Sequence, residues 1–150
     1  MDRAGFRFAS GRYRGRLRNA GSTELKLLLD THLILWWLGN SPALTNEARL
    51  LIGSPQNIVS VSAVSMWEIW LKQSLGKLRL PENFDEKLAA EQFESLQLTA
   101  AHARRVAFLP WHHRDPFDRM LVAQAQEEGQ VLLTADQHVA AYGDFVRLVR

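Results

Sequence analysis

The sequence predicts a three-layer α/β/α domain, with helices on both faces of a central, mostly parallel sheet of about five short strands. Three observations carry this. Short apolar runs at residues 25–29, 57–61 and 130–134 are too brief for helices and lack strict alternation, the pattern of strands buried on both faces. Segments with helix caps and stops lie between them, so strand and helix alternate along the chain. One run ends abruptly at Asp30 and another has Asp136 just beyond its end, as expected where a strand leaves the sheet toward a ligand-binding edge.

In chain order, residues 25–29 form the first strand and Thr31 caps a short helix through Ile34, Leu35 and Leu38, broken by Gly39-Asn40-Ser41-Pro42. A helix over 45–52 follows, capped by Thr45 or Asn46 with Gly53 in the C′ position. After the strand at 57–61, Ser60 or Ser62 opens a helix carrying Trp67, Glu68, Trp70 and Lys72, stopped by Gly76. Asn83 and Glu86 have the spacing of a capping box for a helix over 84–94. Residues 95–98 form a very short strand, and Thr99 caps a helix over 100–108 that Pro110 ends. Asp115 caps the next helix with Pro116 at its first position and Gly129 closing it. The strand at 130–134, a helical turn at 137–142 and a strand at 145–149 complete one domain over 25–150.

Composition narrows the function classes. At 150 residues, 47% hydrophobic and 23% charged, the chain is an ordinary globular one. It has no Cys, which excludes disulfides, thiolate metal sites and a thiol nucleophile. No run nears ~18 apolar residues, so no membrane span or membrane partner is expected, and a cytoplasmic location is the default. The net charge of +2 is uneven: residues 1–24 hold Arg3, Arg7, Arg12, Arg14, Arg16 and Arg18 against Asp2 and Glu24, so the rest is mildly acidic. That tail has four Gly and no hydrophobic period, and reads as a disordered basic extension. A nucleic-acid-binding arm, a targeting peptide and a misplaced gene start ahead of Leu25 are its competing explanations.

The chemistry-bearing residues are acidic. In a parallel sheet all strands end on one side, so Asp30 and Asp136 share a rim. Glu68, about two turns into its helix, and Asp118, in the first turn of its own, belong to helices next to that rim. Four converging carboxylates repel one another and persist as anions only with cations present. Oxygen-only ligands suit a hard divalent ion, Mg²⁺ or Mn²⁺, and metal-assisted phosphodiester cleavage, in which the ion activates a water and neutralises developing charge. Each acid also has a structural reading: Asp30 and Asp136 as caps, Glu68 as a solvated helix residue, Asp118 as a complement to its helix dipole.

Other motifs lead less far. His112-His113 with His102 fits no standard zinc spacing, and satisfied or exposed histidines are expected. Asp30-Thr31-His32 lacks the second Asp of a phosphatase nucleophile motif, and no phosphate-binding Gly loop is present. Trp36, Trp37, Trp67 and Trp70 are expected in the core or a subunit interface, with RNA-base stacking the alternative.

Leu27-Leu28-Leu29-Asp30-Thr31-His32, Val61-Ser62-Ala63-Val64-Ser65-Met66-Trp67-Glu68-Ile69, His112 through Ala125 with Asp115-Pro116-Phe117-Asp118-Arg119-Met120, and Leu133-Thr134-Ala135-Asp136 resemble PIN domains, and more narrowly the VapC-type toxins of bacterial toxin–antitoxin systems. The resemblance covers essentially all of 25–150. It implies a PIN-like fold, a Mg²⁺- or Mn²⁺-dependent endoribonuclease acting on RNA, a homodimer, and a small cognate antitoxin through which alone operator DNA is bound. It further implies that Asp30, Glu68, Asp118 and Asp136 are the catalytic metal ligands. Asp115 competes with Asp118 for the third position, but the segment from Arg119 to Ala125 matches the family's pattern after its catalytic Asp, which leaves Asp115 as a cap or orienting group. Thr31 and Thr134 are candidates to orient the ligands, and Arg114 and Arg119, flanking the site, to contact RNA. Ala135 stands where the family often has a basic residue. A non-catalytic PIN-like RNA- or partner-binding protein and a DNA-directed nuclease are the rivals; the presence of all four acids argues against the first, and the absence of an added DNA-binding module against the second.

Overall fold

The computed structural model describes residues 24–150; the basic extension before them lies outside the described residues. Five strands, β1 (Lys26–Leu29), β2 (Ile58–Ser62), β3 (Glu94–Leu96), β4 (Val131–Thr134) and β5 (Val146–Leu148), form one sheet in the order β3-β2-β1-β4-β5, every pairing parallel. The seven described helices are α1 (Thr31–Leu38), α2 (Asn46–Gly53), α3 (Ala63–Ser74), α4 (Phe84–Ala90), α5 (Ala100–Val106), α6 (Pro116–Glu128) and α7 (Gln137–Ala140).

Alternation along the central strand divides the core into two layers. Leu27, Leu28 and Leu29 are all fully buried, yet Leu27 and Leu29 face one way and Leu28 the other, because successive strand side chains take opposite faces. Leu27 and Leu29 join Ile34, Ala48, Ile69 and Leu88 beneath α1, α2, α3 and α4. Leu28 and Leu132 join Leu121, Val122, Ala125 and Val139 beneath α6 and α7. An apolar run is therefore the right sequence for Leu27–Leu29: on neither face of the sheet do these side chains meet water.

Local chemistry sets most boundaries. Thr45 accepts a hydrogen bond from the Ala48 amide at 3.2 Å, and the Ser62 hydroxyl accepts one from Val64 at 3.0 Å, so both helices start at side-chain caps. Thr99 and His102 form a reciprocal capping box for α5. Gly129 closes α6 at φ +65°, with the Gln130 amide reaching back to the Ala125 carbonyl at 2.9 Å, a conformation that strains any residue bearing a Cβ.

Several boundaries differ from expectation. The residue capping α1 is Asp30, one position before the expected Thr31, and its side chain makes no cap hydrogen bond. Gly53 remains helical and α2 ends on Ser54 in extended geometry. The Asn83–Glu86 box does not form: Asn83 is left-handed at φ 56°, and its side chain makes no cap hydrogen bond. Helix α4 stops at Ala90, since β3 begins at Glu94 to pair Ser60 with Glu94 and Val61 with Ser95.

The strand order places the site. The chain moves outward from β1 through β2 to β3, then crosses to the other side of β1 for β4 and β5. The β1–β4 junction is thus a topological switch point, where connections leave the strand ends in opposite directions and open a crevice. Leu28→Ala, in the central strand, should cost about 2–5 kcal/mol in urea denaturation, whereas Leu50→Ala, at a side chain exposed on α2, should stay within about 0.5 kcal/mol.

Candidate metal centre at the carboxyl ends of the strands

Asp30 is fixed by the sheet on one side of its Cα and by α1 on the other. Its amide donates to the Leu133 carbonyl at 2.9 Å, continuing the β1–β4 ladder, and its carbonyl accepts from the Leu33 amide at 3.0 Å, starting α1. Its carboxylate is buried, and Oδ2 accepts a 2.6 Å hydrogen bond from the Thr134 hydroxyl, which in turn accepts from the Asp136 amide at 3.0 Å. Burial raises the Asp30 pKa, and the Thr134 hydrogen bond offsets part of that rise. Oδ1 has no partner.

Glu68 is 2% exposed on α3, against the solvated position that its helix context alone suggests. Oε2 pairs with the Lys72 ammonium one turn on, at 2.5 Å, while Oε1 is buried without a partner. Two buried acids therefore share one pattern: one oxygen held by a protein donor, one bare. Thr31, the other candidate orienting group, instead donates its hydroxyl to Ser65 at 3.0 Å and ties α1 to α3.

Asp118 follows from the cap of α6. Asp115 Oδ1 accepts from the amides of Phe117 and Asp118 at 2.8 and 3.1 Å, so Asp115 fixes the helix start. Burial pushes the Asp118 carboxyl up to about 8, with further upward pressure from the charges of Asp30, Asp115, Glu68 and Asp136. That mutual influence is the electrostatic signature of convergence: the other three expected acids all act on this one carboxyl. Asp136 is better accommodated. Burial raises its pKa, but hydrogen bonds from the His138 amide and from His113 outweigh this, and the net shift is downward.

His113 is the residue that spacing alone missed. Its Nε2 lies 3.1 Å from Asp136 Oδ2 and 3.2 Å from Asp118 Oδ2, and the ligand atoms of the three residues lie within 4.8 Å of one another. Its Nδ1 accepts the Asp115 amide at 3.0 Å, which places the ring proton of the neutral imidazole on Nε2. In that tautomer His113 is a donor clamping two carboxylates, and Nε2 has no lone pair for a metal. The other two histidines of the zinc comparison stay outside: His102 is buried and bonded to Glu128 at 2.8 Å, and His112 meets Tyr142 edge-on.

One expected RNA contact is corrected. Arg119 is 3% exposed, its guanidinium donating to the carbonyls of Val106, Leu109 and Pro110 and to the Tyr142 hydroxyl beneath the Trp111 ring. It fastens the α5–α6 loop and cannot reach a substrate. Arg114 is exposed. A cleft of about 360 Å³ on the rim is lined by Asp30, Asp136, His32 and Arg150, so Arg150 supplies a positive charge near the acids that local sequence did not flag.

The donor set fits a hard cation. Asp30 Oδ1 and Glu68 Oε1 are carboxyl oxygens buried without hydrogen bonds, a costly state that a divalent ion would relieve.

Fold and site together define an all-parallel α/β domain with an acidic centre at its switch point. The chain belongs to the PIN-domain family, whose model matches residues 27–144. It is similar to Ribonuclease VapC22 of Mycobacterium tuberculosis, with 29% identity over 119 residues, 77% of this chain and 91% of that protein. In fold it is similar to the VapBC2 structure from Rickettsia felis bound to a promoter DNA fragment, at TM-score 0.63 and 14% identity over 84% of this chain and 100% of that one. It is also similar to a toxin–antitoxin complex from Klebsiella pneumoniae, at TM-score 0.56 and 18% identity over 81% and 95%.

The raised acids make a pH prediction. Asp118 titrates at about 8 in the folded chain against an ordinary 3.8, and Asp30 is also raised, so folding takes up protons between those values and stability falls as pH rises through them. The lowered Asp136 contributes only below its ordinary value, outside this window. The melting temperature of chelator-treated protein should fall between roughly pH 5 and about pH 8.5, and added Mg²⁺ or Mn²⁺ should restore more at the higher pH, where protons no longer compete. A profile that is flat or rising would contradict the clustering.

Proposed function

We propose that this protein is a divalent-metal-dependent endoribonuclease, the toxin of a toxin–antitoxin pair. The observation that carries the reading is the pair of unpartnered buried oxygens, Asp30 Oδ1 at the carboxyl end of β1 and Glu68 Oε1 on α3, the helix that follows β2. Asp30, Glu68 and Asp118 hold the ion, with Asp136 closing the acidic cluster. Mg²⁺ or Mn²⁺ bound there would lower the pKa of a water and neutralise charge building on a phosphodiester.

The chain's own residues do the positioning. Thr134 fixes the Asp30 carboxylate and keeps one oxygen free for coordination. Lys72 does the same for Glu68. His113 holds Asp118 and Asp136 together, and Asp115 sets both the start of α6 and the His113 tautomer. No side-chain nucleophile is required. Exposed Arg114 and the cleft's Arg150 are suited to contact RNA phosphates and offset the mildly acidic fold.

RNA as substrate is supported by the similarity to a protein named a ribonuclease, and a small antitoxin partner by similarity to toxin–antitoxin complexes. Operator DNA is then met only through that antitoxin. A homodimer is supported by the apolar surface that α3 and its C-terminal end expose, where Trp67 is 61% and Leu75 57% exposed. No described helix is long and apolar enough to cross a membrane.

With purified protein and RNA, Mg²⁺ should support cleavage and EDTA should abolish it. Asp30→Asn and Asp118→Asn should lower the rate by about 100-fold or more, and Thr134→Val by about 10–100-fold. Equal RNA cleavage by wild type and Asp30→Asn would overturn the enzyme reading.

A further inference from the structure

Among the described acids of the rim, Glu68 alone is neutralised by a lysine. Lys72 lies one turn further along α3, with its side chain 38% exposed and its ammonium on the otherwise buried Glu68 carboxylate. The charges of Asp115 and Asp118 also act on it, so the ammonium stands inside the field of the cluster as a whole. A lysine at a partly exposed helix position is free to extend into water, and i,i+4 pairing on an open surface contributes only a few tenths of a kcal/mol.

The unpartnered oxygens show what Lys72 leaves open. It takes Glu68 Oε2, Thr134 takes Asp30 Oδ2, and Oε1 and Oδ1 remain without a protein donor. The ammonium also places one positive charge against Glu68, inside the field of the neighbouring acids, so each further divalent ion gathered there meets added repulsion.

We propose that Lys72 is a built-in monovalent cation that restricts the centre to a single divalent ion per chain. The ammonium occupies the flank of Glu68 where a second ion would otherwise gather, and holds that carboxylate in the one-oxygen mode left by the fold. The inference deepens the metal-site reading above and rests on it.

The test is titration calorimetry of the full chain with MnCl₂ alone, no RNA present, with circular dichroism confirming that each variant is folded. Wild type and Lys72→Arg, which keeps the charge, should bind one ion per chain. Lys72→Met and Lys72→Gln should bind two, a doubling of stoichiometry read without any activity assay. Two ions on the wild type, or one ion on both uncharged variants, would overturn the role of Lys72 while leaving the metal centre intact. No ion on the wild type would remove the metal-site reading itself.

Discussion

The hydrogen bond from Thr134 to Asp30 is the contact on which the rest of the centre depends. It is available only because β1 and β4, separated by about a hundred residues of chain, lie side by side and in parallel, with Leu29 opposite Leu133. The next residue on each strand is then the acid and the hydroxyl, at matching height above the sheet. Everything that enforces the pairing serves this one contact, including the fully buried Leu27–Leu29 segment and the Asp30 amide bonded to the Leu133 carbonyl. A slip of one residue would send every side chain to the opposite face and separate the two groups.

From that contact outward, the protein manages negative charge by giving each acid a donor. Asp30 has Thr134, Glu68 has Lys72, Asp136 has His113 and the His138 amide, and Asp115 has two amides of its own helix. Asp118 is the acid least relieved. It lies close to His113, but burial and four neighbouring carboxylates still hold its pKa at about 8. The arrangement leaves the centre folded yet electrostatically unfinished, which is the condition in which a cation binds tightly. The same low-dielectric setting that makes the bare oxygens costly strengthens whatever they hold.

The fold was largely legible because its local signals agree. The apolar runs marked the buried strands, Asp115-Pro116 marked the start of α6, and Gly129 marked its end. Where local signals misled, tertiary geometry prevailed: Asn83 and Glu86 have capping spacing, but the turn before α4 places Asn83 in left-handed geometry. The acids were legible as strand-end and helix-start residues. Their supporting groups were not. Arg119 looks like a surface cation, but the carbonyls that bury it come from the end of α5 and the loop after it, and His113 enters the site only through the path of that loop. Lys72 is an ordinary helix lysine until Glu68 is known to be buried. Spacing identifies which residues can meet across one helix or strand end; it is silent on contacts that depend on how a loop returns.

The central claim is that the two bare oxygens, on Asp30 at the end of β1 and on Glu68 of α3, receive a hard divalent ion. Diffraction from crystals grown with MnCl₂, recorded at the manganese absorption edge, addresses it directly. The account predicts an anomalous peak within ligand distance, about 2.0–2.3 Å, of both Asp30 Oδ1 and Glu68 Oε1. Manganese bound only to His113, Asp118 and Asp136, away from those oxygens, would contradict it, as would no peak on the rim at all.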